Sequence, residues 1–362
     1  MIPYGRQSID DDDIAAVVAV MRSHFLTQGP AVEEFEASLR DATRARHAVA
    51  FANGTAALHA AVAVAGLGPG DVVATSPLSF AASANCARYV GADVRFVDID
   101  PDTLNLDVSA VPDDVDALVA VHYAGLPVDL RRLGHRPRVL IEDAAHAIGA
   151  LTPDGPVGNC AHSDMTCFSF HPVKTVTTGE GGAVTTNSDE FASALRQFRH
   201  HGIVKRVDDP YWRYDVTAVG YNYRLTDMQA ALGTSQMRRL DQFVARRNEI
   251  ADRYRREFSD DGRVGLPPAA PVGSRHAHHL FPIMVDDRDR VFDELRAAGI
   301  GVQLHYVPTY RFSSFAGTGE PADFPETERA FSRMISLPMF PALSDNEQAT
   351  VIETVAAAVG DA

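Results

Sequence analysis

The chain has little with which to build a disulfide framework. Cys86, Cys160 and Cys167 are its only cysteines among 362 residues. Three scattered thiols suit a reducing compartment. No stretch approaches the roughly 20 apolar residues that span a bilayer. The N-terminus carries Arg6 and then Asp10 to Asp13, without the apolar run of a signal peptide. A cytoplasmic protein without membrane partners is the expectation. Positive charge is scarce too: 33 Lys plus Arg stand against 48 Asp plus Glu, a net charge of −15. That balance argues against nucleic acid, whose partners carry a basic footprint, while leaving room for a nucleotide ligand at a local site. The surplus acid favours solubility. Internal repeats and low-complexity tracts are absent.

What is present is apolar and regularly spaced. At 46% hydrophobic, the chain can build a substantial core, and its length allows two domains. Asp10 to Asp13 precede Ile14, Val17, Val18 and Met21, the spacing of an amphipathic helix with acids at its N-terminus. Strand-like runs follow at Ala48–Ala52, Val72–Thr75, Val94–Asp98, Ala117–His122, Arg138–Glu142, Met165–Phe170 and Ala183–Thr186. Helical patterns such as Ala56–Ala65 and Phe80–Tyr89 lie between them. This alternation predicts an α/β fold, a mostly parallel seven-stranded sheet covered on both faces. Thr226-Asp227 reads as a helix N-cap, with helical pattern to about Arg256. After the Pro/Gly-rich Gly265–Gly273, a smaller α+β unit is expected. Its elements are a strand His279–Val285, a helix Asp289–Ala298, a strand Val302–Tyr306 and a last helix from about Asp345. The boundary between a large domain, 1–235, and a small one, 236–362, is placed on this shift.

The most informative stretch is Ser169-Phe170-His171-Pro172-Val173-Lys174, followed by Thr175-Val176-Thr177-Thr178-Gly179-Glu180-Gly181-Gly182. A lysine here stands between an apolar strand and a Thr/Gly-rich turn. Alone it reads equally as a solvated loop residue or as a Schiff-base lysine for pyridoxal 5'-phosphate (PLP). An unperturbed amine, with a pKa of about 10.4, is protonated at neutral pH. A pocket or a nearby cation is needed to free it. Val139-Leu140-Ile141-Glu142-Asp143-Ala144-Ala145-His146 reads as a buried strand ending in acid, at the edge where α/β sheets bind ligands. Asp143 suits a pyridinium nitrogen or a helix N-cap. His146 suits the ring's phenolic oxygen or plain packing. Asn53-Gly54-Thr55 opens an alanine-rich helix, as a phosphate cradle or an ordinary turn. Arg275-His276-Ala277-His278-His279 tempts a metal reading; no second ligand pair stands at zinc spacing, so a histidine-rich surface turn is expected and no metal site is assigned.

Together, Asn53-Gly54-Thr55, Asp143 with His146, Ser169 to Gly182 and Gly220-Tyr221-Asn222-Tyr223-Arg224-Leu225 resemble the DegT/StrS-type sugar-nucleotide aminotransferases. These are fold-type I PLP enzymes, similar to aspartate aminotransferase. The resemblance runs from Ile2-Pro3-Tyr4 to Leu337-Pro338 and is strongest for the branch that aminates a sugar's C4 keto group in deoxyamino-sugar and polysaccharide biosynthesis. It implies a homodimer with shared active sites, L-glutamate as donor and a nucleotide-linked 4-keto-6-deoxy sugar as acceptor. Lys174 would bond covalently to PLP, Asp143 pair with the ring nitrogen and His146 lie near the phenolic oxygen. Phe80 would stack on the ring; Gly54, Thr55 and Ser169 would hold the phosphate. Asn222 would reach the neighbouring subunit's phosphate. Tyr4, Leu26, Thr27, Gln28, His305, Tyr306 and Tyr310 would line the sugar site.

Rival readings are weaker on the residues. A dehydratase of this family carries histidine where Lys174 stands. A cysteine desulfurase needs a late cysteine, and none follows Cys167. A non-catalytic PLP- or sugar-binding regulator has no added DNA-binding segment to support it. A 3-keto acceptor stays open, because Arg311–Pro325 and the link after Val128-Asp129-Leu130-Arg131 depart from the family pattern and leave sugar and nucleotide undetermined. No arginine stands out for the donor's carboxylates.

Overall fold

The computed structural model describes residues 1–360. In chain order its strands begin with β1 (His47–Phe51), β2 (Val72–Thr75), β3 (Asp93–Phe96), β4 (Ala117–Val121) and β5 (Val139–Asp143). A two-residue pair, β6 (Leu151–Thr152) and β7 (Gly155–Pro156), precedes β8 (Met165–Ser169) and β9 (Gly182–Thr186). Seven of these form one sheet in the order β1-β9-β8-β5-β4-β2-β3. The ladder from β8 to β3 is parallel throughout; β9 runs opposite to both of its neighbours. The predicted α/β sheet is therefore the observed one, with one reversed strand.

Helices on both faces explain why β4 and β5 are buried along their whole length. On one face α3 (Gly54–Val64), α4 (Ala82–Tyr89) and α5 (Asp189–Phe198) meet Val49, Val119, Ile141 and Val184. On the other, α2 (Pro30–Thr43) and α6 (Asp227–Met237) meet Ala48, Ala50, Phe168 and Ala183. Here α1 (Asp11–Met21) packs on α6. Successive strand residues point to opposite faces, so neighbouring residues of one strand belong to different apolar clusters. Thr226 caps α6 with a reciprocal Thr226–Gln229 capping box.

A second apolar centre surrounds an antiparallel sheet of β12 (Val264–Gly265), β13 (Phe281–Val285) and β14 (Met334–Leu337). It is covered by α7 (Leu240–Phe258), α8 (Arg288–Ala297) and α10 (Asp345–Gly360). The chain's first residues cross to it: Ile2 pairs with Ile300. A carboxylate ties this unit to the large sheet. Asp98, just beyond β3, accepts from the backbone of Glu326 and Thr327, both at 2.9 Å, at the start of α9 (Pro325–Phe331).

Two expectations fail. Val302–Tyr306 is not a strand: it makes a single bridge, Gln303 to Ser336, before the chain turns His305 and Tyr306 toward a cavity and meets Pro308. The histidine-rich segment is not a surface turn. His276, His278 and His279 are all buried. Ala277 and Leu280 donate to the carbonyls of Gly125 and Ala124, which draws the segment inside, and the His276 and His278 rings stack at 3.8 Å. Last, β10 (Ile203–Val204) and β11 (Asp215–Val216) form a hairpin whose connecting loop exposes Tyr211 and Trp212.

Candidate active site

Parallel pairing sets the C-terminal ends of β5 and β8 side by side, Asp143 opposite Cys167. Asp143 closes β5 and Ser169 closes β8. The N-terminus of α3 meets them there. Asn53 caps that helix, its Oδ1 accepting from Ala56 N at 2.8 Å. The remaining first-turn N–H groups are free for an anion. A Cβ on Gly54 would sit 2.8 Å from Ser169 Cβ and 3.2 Å from its Oγ. Gly182, at the start of β9, packs so closely below that a Cβ would lie 2.4 Å from the Asn53 carbonyl oxygen. The cradle is thus built on backbone approach that only glycine permits.

A cavity of about 920 Å³ opens over these elements. Lys174 enters it from a loop folded on itself. Phe170 N bonds the Gly181 carbonyl at 2.8 Å, Thr178 N bonds the Phe170 carbonyl at 3.0 Å, and Lys174 N bonds the His171 carbonyl at 2.9 Å. Desolvation pulls the Lys174 amine down to about 8; the Asp143 charge opposes this and Arg247 reinforces it. Asp143 is buried, with Oδ2 accepting from Ser83 Oγ at 2.6 Å and Oδ1 from Ala145 N at 3.1 Å. These bonds fix its orientation. Its neighbour Glu142 points to the other face, where it holds His122 at 2.8 Å and Thr166 at 3.0 Å.

His146 follows on the turn after β5. Burial, then the charge of Lys174, pushes it well below the ordinary histidine value, so the ring is neutral. Its Nε2 meets the Tyr306 hydroxyl at 3.0 Å, and its Nδ1 is enclosed without a protein partner. Phe80 is 63% exposed, yet its ring forms part of the cavity wall. An orphaned buried nitrogen, a bare aromatic face, a glycine cradle and a depressed lysine in one cavity fit PLP. Gly54, Thr55 and Ser169 would hold its phosphate, Phe80 its ring face, and Asp143 and Lys174 its reactive positions.

Of the sugar-site residues expected from sequence, Tyr4, His305 and Tyr306 line this cavity. His305 is anchored to Ser336 at 2.9 Å and lies tilted beside Tyr4, ring centroids 5.3 Å apart; burial and Lys174 hold it to about 4. Leu26, Thr27 and Gln28 stand off it. Thr27 bridges Thr226, and Gly29 N is held by Asp227 at 2.9 Å. Asn222 stands off it too, between Tyr221 and Tyr223, which do line it. Tyr310 is a core residue: it stacks on Phe324 at 4.7 Å and its hydroxyl donates to Glu328.

Sequence reasoning missed three groups. Ser83 lies one helical turn from Ser79, beside Phe80, and the i, i+4 pair was the available signal. Arg247 falls in the apolar phase of α7 and is 1% exposed; its guanidinium serves the carbonyls of His278, His279 and Met339. His279 lines the cavity. No arginine of the described residues lines it.

Known proteins share this chain's sequence pattern and fold. Residues 7–356 match the DegT/DnrJ/EryC1/StrS aminotransferase family. The spore coat polysaccharide biosynthesis protein SpsC of Bacillus subtilis is 36% identical over 98% of this chain and 96% of its own. The UDP-4-amino-4,6-dideoxy-N-acetyl-β-L-altrosamine transaminase of Campylobacter jejuni serotype O:2 is 37% identical over 87% of this chain and 86% of its own. The PMP form of Spr1654 from Streptococcus pneumoniae superposes with a TM-score of 0.94 at 29% identity, covering both chains fully. By fold, site and sequence, this chain belongs to the DegT/DnrJ/EryC1/StrS family of PLP-dependent sugar aminotransferases.

Proposed function

We propose that the protein moves an amino group from L-glutamate to the C4 keto carbon of a nucleotide-linked 6-deoxy sugar. The observation that carries the transfer is Lys174, a desolvated lysine opening with the buried Asp143 onto one large cavity. The C4 position is supported by the Campylobacter jejuni relative, whose name places the amine at C4 of a 4,6-dideoxy UDP-sugar. Glutamate rests on the resemblance in sequence.

When bound, PLP supplies an electron sink for the carbon that loses its proton. The chain's residues do the rest. With its pKa near 8, the Lys174 amine has an appreciable neutral fraction near pH 7. It can take a proton from the donor's α-carbon in one half-reaction and return one to sugar C4 in the other. Asp143, oriented by Ser83 and the Ala145 amide, holds a proton on the ring nitrogen. Phe80 orients the ring, and the Gly54 cradle holds the phosphate end. Tyr4, His305 and Tyr306 face the sugar side. A second subunit, bringing Asn222 to the partner's phosphate, completes the site.

The test is incubation with glutamate and a panel of UDP-, dTDP- and GDP-linked 4-keto sugars, with NMR of the product. A 4-amino sugar nucleotide is expected; a 3-amino product alone would replace the C4 assignment with the 3-keto reading. PLP absorbance with no transfer to any keto sugar would favour a non-catalytic regulator.

A further inference from the structure

We infer that Tyr306 and His279 are positioning residues that hold His146 in one tautomer and one ring plane, with the ring proton on Nδ1. The inference rests on reading the cavity as a PLP site.

A neutral imidazole has one proton to place on two nitrogens. The Tyr306 hydroxyl lies 3.0 Å from His146 Nε2 and has no other partner among the described residues. If the hydroxyl donates to Nε2, the one group left over is the enclosed Nδ1–H. If Nε2–H donates instead, two groups are left over: the phenol proton and the enclosed Nδ1 lone pair. Each buried orphan costs about 1–3 kcal/mol, so the first arrangement prevails. Burial pushes the Tyr306 phenol up, which keeps it a donor.

The ring plane has its own support. His279 packs on His146 with centroids 4.3 Å apart and a tilt of 41°, and Tyr306 lies nearly parallel at 6.1 Å. His279 is itself fixed, its carbonyl held by Arg247 at 3.3 Å and the next amide, Leu280 N, by Ala124 at 3.3 Å. Burial and the charge of Lys174 keep His279 neutral, so it packs against His146 without charge repulsion. With PLP bound, an Nδ1–H within reach of its phenolic oxygen would stabilise that oxygen's negative charge and so lower the pH at which the bound cofactor titrates.

The experiment combines two readouts. Histidine ¹⁵N NMR of the apoprotein, with His146→Gln to assign the signal, reads the tautomer directly. The pH midpoint of the visible absorbance of the PLP-loaded protein reads the consequence. Wild type is expected to show Nδ1–H, and Tyr306→Phe a mixture or Nε2–H, with the midpoint raised by about one pH unit, the scale of one hydrogen bond to a charged group. His279→Ala should raise the midpoint, and His279→Phe, which keeps a ring in place, should restore it. Nε2–H in wild type, or an unchanged tautomer in Tyr306→Phe, would overturn the inference. A changed tautomer with a fixed midpoint would overturn its cofactor half. If the wild-type protein bound no PLP, the function proposed above would fail, while the NMR still decided the tautomer.

Discussion

Lys174 concentrates the chemistry in one atom. Lys174→Ala should bind PLP without the covalent link and lower turnover by at least about 10⁴-fold, the upper range for a lost acid–base group. Steady-state rates and the loss of the visible absorbance shift check this. The depressed amine also sets a pH dependence. Capture of PLP by the apoprotein needs the neutral amine, whose fraction rises as pH passes about 8. The rate should climb up to that point and flatten above it, whereas a solvated lysine would keep climbing past pH 10. Stopped-flow mixing across about pH 6–10, roughly two units either side of the expected midpoint, separates the two.

At the scale of elements, the site depends on how α3 meets β8 and how α2 meets α6. Gly54→Ala puts a methyl 2.8 Å from Ser169 Cβ. Relief requires the cradle to open, at about 1–3 kcal/mol for overpacking. PLP affinity should fall by about tenfold or more, corresponding to 1.4 kcal/mol, as read by equilibrium dialysis. Asp227 serves two helices at once. It stands in the first turn of α6, and its carboxylate accepts from Gly29 N at 2.9 Å and Ala31 N at 3.1 Å at the start of α2. Asp227→Ala leaves both amides orphaned, the second of them buried. Stability should drop by about 2–4 kcal/mol, measured by urea unfolding. A loss under 0.5 kcal/mol, the size of an ordinary surface substitution, would show that the Leu26–Gly29 segment is held otherwise.

At the scale of the whole molecule, the hairpin loop is the exposed feature that asks for cover. Tyr211 is 94% and Trp212 77% exposed, an apolar display that marks an interaction surface. With Asn222 standing off its own protomer's cavity, the proposed dimer gives both a place. Light scattering should report twice the 39.1 kDa chain mass. Mixing Lys174→Ala with Asn222→Ala protein should give activity above the sum of the two, because a mixed dimer restores one site. Strict additivity after subunit exchange would argue that each site is built from one chain.

The α/β sheet and the sharing of one cavity by Asp143, His146 and Lys174 were legible in the sequence for local reasons. Buried parallel strands are unbroken apolar runs, and cavity-lining residues stand at or just past their C-terminal ends, as Asp143 closes β5, His146 follows it and Lys174 follows β8. A helix cap such as Thr226 is likewise written in four consecutive residues. Tertiary structure decided what depends on distant partners. Tyr310 lies in the core because Phe324 and Glu328 meet it there. The histidines at 276, 278 and 279 are inside because the Ala124–Gly125 backbone pairs with their segment. Ser83 and Arg247 gain meaning only from Asp143, 60 residues away, and from Met339, 92 residues away. Periodicity and motif report which face a residue takes on its own element. Burial and hydrogen-bond partners are properties of contacts between elements, and only folding makes those contacts.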